Sequence, residues 1–169
     1  AAVEGGEVWV QAGTYVERIT LQGYVHVYGG FAGTETSLDQ RNPIAHVTVL
    51  DGNRGRVVTV SNLGLLPCTI DGFTLRNGEA YAGNGAGVYC YRSAPRISNN
   101  VITKNGAGDD GGGIYAQDSS PLIVHNTITR NGADNSGCGI SCRGGSPVIC
   151  NNVITGHSVN DVGAGIYLY

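Results

Sequence analysis

The sequence predicts an all-β solenoid of stacked parallel coils, and three observations carry that prediction. Residues recur at a fixed interval of 26, glycine supplies 28 of 169 positions, and no segment offers ten residues of helical periodicity. Charged residues reach only 14 %, with one lysine, Lys104, where a helical bundle needs Ala, Leu, Glu, Lys and Gln in bulk. Hydrophobic residues at 41 %, many of them Val and Ile, are too many for a disordered chain.

The repeat is clearest after residue 79. Pro95, Pro121 and Pro147 keep the interval, as do Ile97, Ile123 and Ile149, and Ile102, Ile128 and Ile154. Asn100, Asn126 and Asn152 follow it, then Thr103, Thr129 and Thr155. A Gly-x-Gly-apolar motif begins at Gly85, Gly111, Gly137 and Gly163. Apolar and polar residues alternate within each repeat, and Gly, Asn and Asp clusters break the alternation, so each repeat reads as three short strands joined by turns. Coils of this kind stack about 4.8 Å apart. Identical residues then lie above one another, with the Ile columns inside. An Asn column at a turn can pass each side-chain amide to the next coil and satisfy polar groups a tight bend would bury.

One domain over residues 1–169 is expected, with irregular opening coils over 1–78 and regular coils over 79–169. Glu7–Val10, Arg18–Leu21 and Val25–Tyr28 read as one opening coil, and Val47–Gly52, Arg56–Val60 and Thr69–Leu75 continue the stack. Between them residues 29–46 form a long polar loop, and loops of that length on a rigid scaffold often carry function.

The five cysteines, Cys68, Cys90, Cys138, Cys142 and Cys150, are an odd number, and no His completes a zinc pattern with them. Most are expected as small apolar core residues; one bridge is compatible with export. Cys90 and Cys142 fall two coils apart, too far to bridge. A net charge of −3 gives no electrostatic reason for nucleic acid, and no apolar run is long enough for membrane insertion.

The segments Val8-Trp9-Val10-Gln11-Ala12-Gly13-Thr14-Tyr15, Tyr28 to Thr36 and Ile70 to Gly78 resemble those of bacterial right-handed parallel β-helix proteins of the pectin-lyase-like superfamily. The resemblance implies a single-stranded right-handed parallel β-helix, extracellular or at the cell surface. It does not fix the chemistry, because such repeats serve lyases, hydrolases, adhesins and surface proteins alike.

Two sets of side chains stand out. Asp109 and Asp161 share a column with Asn135, Asp134 lies one position earlier in its repeat, and Asp110 follows Asp109. Stacked oxygen ligands of this sort suit calcium, although Asp and Asn are also the ordinary turn formers of such loops. The second set is a tyrosine face of Tyr89, Tyr91, Tyr115, Tyr167 and Tyr169, suited to sugar rings or to protein contact and equally to cross-strand packing. No matched carboxylate pair for glycoside hydrolysis emerges, since Asp118 corresponds to Arg92 and Gly144 in adjacent repeats. No catalytic residue is therefore assigned. The leading expectation is a non-catalytic structural or binding module whose partner is surface polysaccharide or another copy stacked head to tail into a filament. The alternative is a carbohydrate-active lyase or hydrolase, or a fragment of one, with acidic loops around Asp109 and Asp161. Coil-forming sequence at both ends also raises the expectation of a longer solenoid.

Overall fold

The computed structural model describes residues 5–159 and 163–169. Three six-stranded sheets and one four-stranded sheet, every pairing parallel, wind around a common interior. Each regular coil visits them in the order A, B, D, C. Its strands are Arg96–Ser98 in sheet A, Val101–Thr103 in sheet B, Gly106–Ala107 in sheet D and Ile114–Gln117 in sheet C. The expected three strands per coil thus become four. Sheet D is only two residues wide, and its Ala107 and Ala133 join Ala86 and Cys138 in a small second core.

The isoleucine columns are as expected. Ile97 pairs with Ile123 and Ile123 with Ile149, while Ile102, Ile128 and Ile154 stack on the next sheet. Ile97, Ile102, Ile123 and Ile128 have no exposed surface. Full burial of one such side chain stabilises by about 1.5–3 kcal/mol, repeated at every coil. Cys90, Ala116 and Cys142 form an inward column on sheet C. Cys68, Cys90, Cys138 and Cys142 are buried free thiols, whereas Cys150 is exposed. Burial alone pushes the Cys68 and Cys142 thiols up to about 11, so they behave as core residues rather than nucleophiles.

The stacking reaches one coil further back than the 26-residue interval. Ile70 pairs with Ile97 and Leu75 with Ile102, both 27 positions apart. The extra residue sits in the turn after sheet D, where seven residues separate Ala80 from Val88 but six separate Ala107 from Ile114. Near the start, Gly6–Gln11, Gly13–Tyr15 and Ile19–Thr20 make the first coil. Val25–Tyr28 does not close that coil. It opens the second, because the strand Val25–Phe31 lies on Gly6–Gln11 in parallel register. The polar loop is correspondingly shorter than expected: Gly29, Gly30 and Phe31 are strand, and the excursion runs from Ala32 to Val47 with a 3-10 turn at Leu38–Gln40.

The corners between sheets need left-handed backbone. Gly72, Asn99, His125 and Asn151 occupy the A-to-B corner of successive coils with φ of 79°, 56°, 57° and 54°. Gly72 is buried under Arg41, but Asn99, His125 and Asn151 are exposed, so from Asn99 on this corner is a column of exposed groups on a fixed spacing.

Just inside this corner the Asn ladder forms. The side-chain oxygen of Asn126 accepts the Asn100 backbone N–H at 3.0 Å, and that of Asn152 accepts the Asn126 N–H at 2.8 Å. A second ladder, unforeseen from the sequence, runs through Asn105 and Asn131 at the B-to-D corner and ends in His157.

Candidate functional site

The outer face of sheet C carries the tyrosines, and they separate into two groups. Tyr115 is 1 % exposed. Its ring stacks on Tyr89 at 5.9 Å, and the glycine turn passes directly over it, so that a Cβ on Gly111 would stand 2.8 Å from the Tyr115 Cβ. Tyr115 therefore points away from the interior but is sealed, and its place on an exposed ligand face is corrected. Burial raises its phenol well above the usual value, and a hydrogen bond to Tyr169 adds to the shift. Tyr89 is half-buried beneath the Arg56 guanidinium, 4.3 Å from its centroid.

The neighbouring outward column is open. It contains Ser61, Tyr91, Gln117 and Arg143 in successive strands, with Tyr169 continuing it. Arg92 lies 4.9 Å over the Tyr91 ring, Arg143 lies 5.5 Å from the Tyr169 ring, and Tyr167 packs against Tyr169 at 4.9 Å. Arginine over tyrosine fixes both side chains at little entropy cost. Tyr91 and Tyr169 are three coil steps apart, about 14 Å along the stack. The 26-residue spacing places these tyrosines and sets Arg143 one coil before Tyr169; it gives no signal for Arg56, which reaches Tyr89 from the turn before its strand.

The acidic loop lies against the same face and is committed to hydrogen bonding. Asp110 accepts the Ser136 N–H at 3.0 Å on one oxygen and the Tyr169 hydroxyl at 3.2 Å on the other, while its own N–H goes to the Asn84 side chain at 2.8 Å. Asp109 accepts from the Asn135 amide at 2.8 Å. Asp134 is exposed, and its N–H donates to the Ala107 carbonyl. Asp161 lies outside the described residues. Among the described residues no three His, Cys, Asp or Glu side chains converge as a metal site. Asp109 and Asp110 thus act as rungs between turns, the same work the asparagines perform at the other corners.

Carboxylates elsewhere are similarly engaged. Asp71 is buried, pairs with the Arg41 guanidinium, and accepts from Ser98 and from the Asn99 amide. Asp51 accepts from Arg76 and Asn77, hydrogen bonds that hold its carboxyl below the usual range against the opposing effect of burial. Glu35 takes the backbone N–H groups of Ala32, Gly33 and Thr34, which lower its carboxyl to about 2.

Through Arg41 the Ala32–Val47 excursion is pinned back onto sheet A. The excursion and the A-to-B corner then enclose an open cleft of about 780 Å³.

The family model for the right-handed beta helix region matches residues 42–169. The chain belongs to the right-handed β-helix family. Membership agrees with the parallel coils and 26-residue register, and it makes the fold a right-handed parallel β-helix. No curated protein and no solved structure matches this β-helix. Among its described residues no helix is long and apolar enough to cross a membrane.

Proposed function

We propose that this β-helix is a non-catalytic extracellular binding module that holds a polysaccharide strand along the outer face of sheet C. The observation that carries the reading is the open column from Tyr91 through Gln117 and Arg143 to Tyr169, with an arginine stacked on each terminal tyrosine. Two aromatic platforms about 14 Å apart, with an amide and a guanidinium between them, match a ligand that runs along the coil axis. The parallel stack holds these groups rigidly, so little entropy is lost when a ligand binds.

The carboxylates support a non-catalytic role. A general acid or a nucleophile needs an oxygen available to the substrate, and Asp110 spends both oxygens on Ser136 and Tyr169. The competing reading, a polysaccharide lyase or glycoside hydrolase, draws on one observation: the Asp134 carboxyl is exposed beside the Asp109–Asn135 rung. Calcium, if the protein takes it, belongs to that second reading.

Affinity electrophoresis through gels containing plant or bacterial polysaccharides tests the proposal. Wild-type protein should be retarded by at least one polymer. Tyr91→Ala and Tyr169→Ala should each lose most of that retardation, while Tyr89→Ala keeps it. Equal retardation of all four proteins would overturn the assignment of this face.

A further inference from the structure

The cleft beneath the Ala32–Val47 excursion lies on a different corner of the coil from the tyrosine column. We propose that it is a second binding site, for a neutral oligosaccharide. Its two walls differ in character. The excursion supplies Leu38, Pro43 and Ile44, with Ile44 92 % exposed, and the opposite wall is the outward column Val101–Thr127 flanked by Asn99 and His125. An apolar wall facing a row of polar groups suits a sugar ring, which presents C–H faces and hydroxyl edges.

The polar row is fixed in position before any ligand arrives. Asn99 and His125 hold left-handed backbone at successive corners, roughly 4.8 Å apart. The Asn99 amide nitrogen donates to Asp71 at 2.8 Å, which orients the side chain and leaves its oxygen as an acceptor. His125 Nε2 lies 3.3 Å from the amide nitrogen of Asn151. That amide can only donate, so Nε2 accepts and the ring proton sits on Nδ1. An acceptor at Asn99 and a donor at His125 therefore stand side by side.

Charge selects the class of sugar. Two charged residues border the cleft, Asp39 and Arg41, and Arg41 is neutralised by Asp71. Among the described residues Asp39 accepts from Ser37 alone and has no cationic partner, so the rim carries one uncompensated negative charge. Anionic sugars are disfavoured there, and a carboxylate is a good acceptor for neutral hydroxyls.

Titration calorimetry with neutral gluco-, manno- and xylo-hexasaccharides, and with a hexagalacturonate as the charged comparison, tests the inference. At least one neutral hexasaccharide should bind wild-type protein, and hexagalacturonate should not compete for that site. Thr127→Trp, which fills the cleft from an exposed strand position, should weaken binding at least tenfold. His125→Gly should weaken it about three- to tenfold, the worth of one hydrogen bond, and glycine already holds this corner at Gly72 without strain. Tyr91→Ala should leave it unchanged. The inference is overturned by no neutral binding, by preference for hexagalacturonate, or by binding that Thr127→Trp leaves intact. Loss in Tyr91→Ala would instead assign the sugar to sheet C.

Discussion

The Asn100 side-chain amide donates to the side-chain oxygen of Asn126 at 3.1 Å, and the same oxygen accepts the Asn100 backbone N–H at 3.0 Å. Two donors from one coil thus converge on one acceptor in the next, at a corner where both residues are about 1 % exposed. Neither donor can turn to water.

Asn126→Leu should therefore cost about 2–4 kcal/mol, because it strands two buried donors and also removes the amide that Asn126 gives to the Ile97 carbonyl. Urea denaturation measures this. A loss under about 0.5 kcal/mol would mean the ladder is ornamental.

Ile128 probes the interior. Ile128→Val should lower stability by about 0.5–1.5 kcal/mol, the ordinary loss for one buried methylene. Ile128→Asp should leave no cooperative unfolding transition, since an unpaired carboxylate would replace a side chain with no exposed surface. A soluble and fully folded Ile128→Asp protein would place the inward face elsewhere.

Arg41 and Asp71 should behave as a coupled pair. Arg41→Ala removes the cation and leaves Asp71 buried with Ser98 and Asn99 as its side-chain donors among the described residues, a loss of about 3–5 kcal/mol. The Ala32–Val47 excursion should then be cut faster by protease, having lost its anchor to sheet A. Adding Asp71→Asn to Arg41→Ala should recover part of the stability, and strictly additive losses would show that the two residues do not interact.

Much of this was legible in the sequence. Columns of Ile and Asn at a constant interval encode which residue lies above which, so core and first ladder follow from spacing alone. The second ladder had the same signal in Asn105 and Asn131, masked because His157 interrupts the column. Tyr115 was misplaced because alternation reports which side of a sheet a residue takes and not whether a neighbouring turn covers it. Arg41 meeting Asp71 had no local signature: the partners are 30 positions apart and joined by an irregular excursion.

His157 should make stability depend on pH. Its Nδ1 accepts the Asn131 N–H at 3.2 Å, and burial lowers its pKa below the ordinary 6.5 against the opposing effect of its backbone hydrogen bonds. The fold thus favours the neutral ring, so its contribution is fully present above about 6.5 and is lost as pH falls below that. The urea midpoint of wild-type protein should fall between pH 7.5 and pH 5, and that of His157→Asn should fall less, asparagine being the ladder residue in the two preceding coils. Glu35, near 2, titrates outside this window. Identical pH profiles for the two proteins would contradict the role given to His157.

The most direct measurement concerns whether a polysaccharide is held or cut. A polymer that retards the protein in a gel should be incubated with it, with and without calcium, while unsaturated products are followed in the ultraviolet and new reducing ends are assayed. Retention with neither signal is the predicted result; turnover above the buffer blank, abolished by Asp134→Asn, would contradict it.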